Sequence, residues 1–197
     1  MGEETTTDGI VHPERVFVLS GPSGVGKNAI VRRLCDSGCA VRAITATSRS
    51  PRPGEEDGVD YYFVSEQQFE QWLREGRLLE HTRYCGNYYG TPASSVDRAA
   101  RDGRPVLLVI DVDGALQLKR KWPDARLIFI RPPSEQELEQ RLRERADEDD
   151  ENMAQRLAQA RHEMALADRY DHVVVNDRLE DAVEQVAHIV RSASPAH

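Results

Sequence analysis

Lysine is nearly absent from this chain. Of 26 basic residues among 197 only three are lysine, Lys27, Lys119 and Lys121, and they face 34 acids, for a formal net charge of −8. That excess of acid excludes the basic surface on which a nucleic acid polymer binds by counterion release, although a few converging arginines can still hold a small phosphate. Cysteine is equally scarce. Cys35, Cys39 and Cys85 are odd in number, which points to reduced thiols rather than a disulfide framework. The Cys35–Cys39 pair has no His or Cys cluster to complete a metal site. No apolar run approaches the ~20 residues of a membrane span. With 39% hydrophobic and 30% charged residues, the chain is expected to be a globular cytoplasmic protein with one main core.

What is present is an alternation of elements. Val16-Phe17-Val18-Leu19, Val106 to Ile110, Leu127 to Ile130 and Val173 to Val175 are short continuous apolar runs, the pattern of parallel strands covered on both faces. Helical stretches separate them. Ser134-x-x-Glu137 after Pro132-Pro133 is a capping box. Met153, Leu157, Ala160, Met164 and Ala167 form one apolar stripe, and Ala182 to Val190 a final amphipathic helix. Between Thr45 and Pro92 the texture changes to short Tyr-rich stretches broken by Gly and Pro, with a capped helix at Ser65-x-x-Gln68; this predicts a small α+β lobe inserted into an α/β core. Residues 1–14 are expected to form a flexible tail.

Gly21-Pro22-Ser23-Gly24-Val25-Gly26-Lys27 directly follows the first apolar run and precedes a helix from Ala29. These are the first seven positions of G-x-x-x-x-G-K-[ST]. The glycines let backbone N–H groups curl around phosphate oxygens, the helix N-terminus adds its dipole, and Lys27 reaches the β- and γ-phosphates. The eighth position is Asn28, where a Ser or Thr hydroxyl would ordinarily ligate Mg²⁺. An amide oxygen is also a hard ligand, but a longer and differently placed one, so the metal ligands are left unassigned.

The inserted lobe supplies Ser48-Arg49-Ser50-Pro51-Arg52-Pro53-Gly54-Glu55, then Tyr61, Leu79-Glu80 and Gly86-Asn87-Tyr88-Tyr89-Gly90-Thr91. Two arginines three apart can grip one phosphate with their fork-shaped donors. With these motifs in combination, the sequence from Val16 to Val190 resembles the guanylate kinase family. The resemblance implies a P-loop NTPase core with a central parallel β-sheet flanked by helices, a small α+β GMP-binding lobe and a helical lid. Its expected boundaries are residues 15–44 and 94–197 for the core, 45–93 for the lobe and 141–156 for the lid. It further implies that Gly21 to Asn28 bind ATP, that Thr45, Arg49, Arg52, Tyr61 and Tyr89 hold the GMP phosphate, and that Glu80, Thr91 and Asp111 read the guanine. Arg141, Arg145 and Arg156 match the arginines that close over the transferring phosphate beside Lys27. Guanine's Watson–Crick edge offers N1–H and N2–H₂ donors to an acceptor-only carboxylate such as Glu80; adenine presents an acceptor at N1 and leaves a buried carboxylate unsatisfied.

The chain departs from the family pattern in places. Relatives commonly carry an acid two residues before Asp111, where this chain has Val109, and Gln in place of Asp113. Asp113 shares a face with Asp111 only if the preceding strand continues through it. The lid has Arg145-Ala146-Asp147 where Arg-Gly-Thr is frequent, followed by acids to Glu151. The expected activity is ATP-dependent phosphorylation of GMP, and of dGMP, with Mg²⁺ carried by ATP, in a monomer or homodimer. Asn28 and Val109 motivate an alternative, a GMP-binding module with weak or no phosphotransfer. A kinase for another phosphorylated sugar on the same core is disfavoured by the guanine-reading set.

Overall fold

The computed structural model describes residues 11–84, 86–143 and 150–193. The elements run β1 (Val16–Ser20), α1 (Lys27–Asp36), β2 (Val41–Arg42), β3 (Ala46–Thr47), β4 (Tyr62–Phe63), α2 (Glu66–Arg74), β5 (Leu78–Tyr84), β6 (Asn87–Pro92), α3 (Ala93–Ala100), β7 (Val106–Val109), α4 (Val112–Lys121), β8 (Arg126–Arg131), α5 (Glu135–Arg143), α6 (Asp150–Met164), β9 (His172–Val175) and α7 (Leu179–Ser192). The four apolar runs become β1, β7, β8 and β9, paired in parallel in the order β2-β7-β1-β8-β9. Phe17 and Leu19 pack with Ile30, Leu34, Leu142, Met153 and Val186 on one face; Val16 and Val18 pack with Val96, Leu118 and Phe129 on the other. β1 is therefore buried on both faces, as its continuous apolar run requires.

Two expectations need correction. β9 is not covered on both faces: Val174 is buried, but Val173 and Val175 are 45% and 41% exposed. β9 is the edge strand, and the helices on that face pack over the strands next to it. The expected tail is also too long. Val11 packs against the second core cluster and Pro13–Arg15 form a 3₁₀ turn, so ordered chain begins before residue 14.

The segment between β2 and α3 forms a separate four-stranded sheet, β4-β3-β6-β5, with α2 against it. Ser65 caps α2 by accepting from Gln68 N at 3.1 Å, and Phe69 packs with Ala46 and Leu78 as a small core. Ser134 caps α5 in the same way through Glu137 N at 3.1 Å. Arg42 donates to Asp60 O at 2.8 Å, which ties the lobe to the edge of the main sheet. Among the described residues no helix is long and apolar enough to cross a membrane.

Candidate active site

The loop after β1 turns at the carboxyl end of the sheet, the usual place for ligands in an open α/β sheet. Gly26 caps α1 with φ +91°, and a Cβ there would lie 2.5 Å from the Asn176 amide nitrogen. Asn176 is buried and donates to Val25 O at 2.7 Å, so the residue after β9 braces the loop from behind. Lys27 Nζ donates to Gly21 O at 2.5 Å and Pro22 O at 2.9 Å, which holds the ammonium over the loop.

A cavity of about 180 Å³ opens in front of that loop, lined by Gly21, Ser23, Lys27, Thr45, Arg49, Arg52, Tyr61, Glu80, Thr82, Tyr89, Val109, Asp111 and Glu163, among others. It continues into a cleft of about 650 Å³ reached by Asp113, Arg156, Gln159 and Glu163. The fold thus brings together side chains far apart in sequence: the phosphate loop, the lobe's arginines and tyrosines, and the acids.

Glu80 and Asp111 are held in different ways. Glu80 is 2% exposed, and Thr91 Oγ1 donates to its Oε1 at 2.5 Å. Its other oxygen lies against Gly114, where a Cβ would approach Glu80 Oε2 to 2.3 Å; a side chain at 114 would close the space the carboxylate occupies. Burial pushes the Glu80 carboxyl up to about 8, with Asp111 adding to the shift and the Thr91 hydroxyl opposing it. Asp111 caps α4, accepting from Gly114 N at 2.7 Å on one oxygen and from the Thr82 hydroxyl on the other. Burial raises its carboxyl too, against those two hydrogen bonds.

On the lobe side of the cavity, Arg49 makes a bidentate pair with Glu55 at 2.9 and 3.0 Å and lies over the Tyr61 and Phe63 rings at 5.6 and 5.7 Å. Tyr61 and Tyr89 meet edge to face at 6.3 Å. Thr45 Oγ1 is buried without a hydrogen-bond partner, a donor left for a ligand. Arg52 is exposed at the mouth.

Some expected positions lie elsewhere. Asn28 and Thr91 line neither cavity; Thr91 acts through Glu80. Arg141 lines neither, because its guanidinium is held by Glu137 at 3.1 Å and Asn176 O at 3.2 Å behind the phosphate loop. Arg145 lies outside the described residues, as do Asp147 to Asp149. The strand does not continue to Asp113: β7 ends at Val109, and Asp113 reaches the cleft from the first turn of α4.

Two site residues escaped the sequence reading. Thr82 lies two residues after Glu80 on β5, on the same face by strand alternation, a signal available once Glu80 is assigned. Glu163 is 6% exposed and faces the cavity from α6, one turn after Gln159, which donates to it at 3.2 Å. Burial raises its carboxyl, reinforced by Asp111 and Asp113 and opposed by Gln159 and Lys27. The unfolded carboxyl ionises near its ordinary value of 4.5 and the folded one at higher pH, so the folded state holds this proton more tightly, and Glu163's contribution to stability declines as pH rises above that value. Glu163→Gln is therefore expected to raise Tm relative to wild type by an amount that grows from pH 5 to pH 8. Calorimetry at the two pH values checks this, and a constant difference contradicts it.

A family model described as guanylate kinase matches residues 13–193. The chain is 51% identical over 187 residues to the guanylate kinase of Gloeobacter violaceus, covering 93% of this chain and 91% of that one. It is 44% identical over 178 residues to that of Oceanobacillus iheyensis, covering 90% and 86%. The crystal structure of guanylate kinase from Anaplasma phagocytophilum aligns with a TM-score of 0.75 at 31% identity, covering 92% of this chain and 86% of that one. With the phosphate loop, the buried Glu80 and the arginine-lined lobe on one cavity, the chain belongs to the guanylate kinase family.

Proposed function

We propose that the protein transfers the γ-phosphoryl group of ATP to the 5′-phosphate of GMP, and of dGMP, giving ADP and the corresponding diphosphate. The observation that carries this reading is Glu80, a buried carboxylate seated on Thr91 and Gly114 in the same cavity as the phosphate loop. Gly21 to Asn28 cradle the ATP phosphates. Thr45, Arg49, Arg52, Tyr61 and Tyr89 hold the acceptor phosphate. Glu80, seated by Thr91, and Asp111, seated by Thr82, read the base. Transfer is in line and needs no covalent intermediate; positioning and charge stabilisation do the work. Lys27 and Arg156 stabilise charge on the moving group, and Arg141 and Arg145 join them when the lid closes. For Arg141 closure means release from Glu137 and the Asn176 carbonyl. The contacts proposed are assigned within one chain, which acts as a monomer or a homodimer. The substrates place the reaction in the cytoplasm.

Among the described residues no group of three His, Cys, Asp or Glu side chains can hold a metal ion by itself. That fits Mg²⁺, which is bound largely by nucleotide phosphates and water with one or two protein oxygens. Both Asp111 oxygens accept hydrogen bonds. Asp113 and Glu163 on the cleft wall are hard-oxygen groups that would face the ion, and Asn28, which lines neither cavity, stands exposed next to Lys27 at the position where the motif places a metal ligand. Bound there, Mg²⁺ neutralises charge on the β- and γ-phosphates. Asn28→Ser is expected to lower the Mg²⁺ concentration needed both for half-maximal ADP binding, by calorimetry, and for half-maximal rate. Unchanged requirements would remove Asn28 from the metal's surroundings.

ADP formation with GMP, dGMP, AMP and CMP, with and without Mg²⁺, tests the function. Metal-dependent turnover with the guanine nucleotides supports it. GMP binding without turnover would make the protein a binding module.

A further inference from the structure

A second set of basic side chains lies beside the transfer site, on the far side of the nucleotide cleft's wall. Arg83 on β5, Arg120 on α4, Arg169 in the short 3₁₀ turn after α6, and His162 on α6 line one surface cavity of about 500 Å³. They come from four separate elements, so sequence proximity did not gather them. Elsewhere Arg49, Arg77, Arg104, Arg141, Arg143 and Arg161 are ion-paired, while others, Arg74 and Arg131 among them, have no such partner among the described residues; what sets the basin apart is that its arginines share one concavity. Arg120 and Arg169 have no side-chain hydrogen bond or ion pair among the described residues. Arg83 lies over the Tyr88 ring at 5.2 Å and donates only from Nε, to Gly86 O at 3.4 Å, so its terminal nitrogens remain available.

Three guanidinium groups around one concavity repel each other and raise the local positive potential. The chain's overall net charge of −8 does not cancel that potential, because surface charges beyond ~10 Å are screened. The arrangement is unfavourable when empty and favourable around a multiply charged oxyanion, since each guanidinium offers a planar fork matched to phosphate oxygens. Asp113 lines the wall shared with the nucleotide cleft and repels an anion there, which favours a position toward Arg120 and Arg169.

We propose that this basin binds a polyphosphate group, either inorganic pyrophosphate or the tail of a nucleoside di- or triphosphate, on Arg120 and Arg169, at a position that adjoins the nucleotide cleft and stays open when both substrates are bound. Thr82, Arg83, Asp113, His162 and Leu166 line both the basin and the nucleotide cleft, and Thr82 is bonded to Asp111, so occupancy is felt next to the guanine-reading acids.

The test uses the full chain with both substrate positions filled by a dinucleotide in which adenosine and guanosine are joined through five phosphates. Pyrophosphate is then titrated by calorimetry, and the His162 imidazole resonances are followed by NMR. The expected result is one equivalent of pyrophosphate bound to the filled protein, with movement of the His162 resonances. Affinity should fall about tenfold or more in Arg120→Gln/Arg169→Gln. That double variant should retain wild-type kcat and KM for GMP without pyrophosphate. ADP titrated into the same filled protein identifies the source: tighter binding than pyrophosphate indicates a nucleotide tail, weaker binding the free anion. No binding to the filled wild type, or equal affinity in the double variant, overturns the proposal.

Discussion

Lys27→Met lowers kcat by about a thousandfold while KM for GMP stays within about threefold of wild type. The split follows from where the groups sit. Lys27 Nζ is held over the phosphate loop by Gly21 O and Pro22 O, on the donor side, whereas the acceptor contacts come from the inserted lobe and α4. In a loose phosphoryl transfer the enzyme contributes mainly charge and position, so removing the one ammonium in the loop subtracts stabilisation that matters most as the bond to the leaving oxygen breaks. Methionine keeps much of the stem's length and apolar volume, and Asn176 still braces Val25, so the loop should retain its fold. Circular dichroism and GMP binding verify that. A kcat within tenfold of wild type would mean Lys27 does not face the transferring group.

The second large effect concerns Glu80. In the ligand-free protein its carboxyl titrates near 8, so at pH 7 it is mostly protonated, yet only the ionised form accepts from both N1–H and N2–H₂ of guanine. GMP binding therefore releases a proton. KM for GMP should fall about tenfold per pH unit from about pH 6.5 toward 8 and level off above it. The phosphate monoester's own ionisation, near about 6, lies below that window. Glu80→Gln keeps an oxygen for Thr91 but turns an NH₂ group toward the base's donors. It should remove the pH slope and lower kcat/KM for GMP by about a thousandfold, with a much smaller change for AMP. Steady-state kinetics over pH 6.5–8.5 checks both. A retained slope in the variant would place the titrating group elsewhere, and a retained GMP preference would remove Glu80 from base recognition.

These two residues also show what was legible in the chain itself. The phosphate loop is local: seven consecutive residues between an apolar run and a helix carry its backbone geometry, and the structure places that loop where the pattern puts it. The buried strands were legible for the same reason, since a continuous apolar run states its own burial. Glu163 was not legible, because its helix reads as an apolar stripe and only the tertiary fold brings that acid onto the same cavity as Lys27. Nor was the end of β7 at Val109, where Asp111 switches from a strand position to a helix cap through a single bond from Gly114 N. The motif position of Arg141 is local as well, but its present partners, Glu137 and the Asn176 carbonyl, are set by how α5 lies against the turn after β9. Charge was misleading in the aggregate. The net −8 describes the chain as a whole, while the cleft gathers Lys27, Arg49, Arg52 and Arg156, the groups proposed to hold phosphate, beside Glu80 and Asp111, the acids proposed to select the base.

The central claim is that the group leaving ATP goes to GMP and not to water. ATP labelled in its γ-phosphate, incubated with the protein, Mg²⁺ and GMP, tests it directly. The account predicts label in the β-phosphate of GDP, dependent on GMP, with negligible labelled inorganic phosphate. Label released as inorganic phosphate at the same rate with or without GMP, or no transfer while GMP is bound, would contradict it.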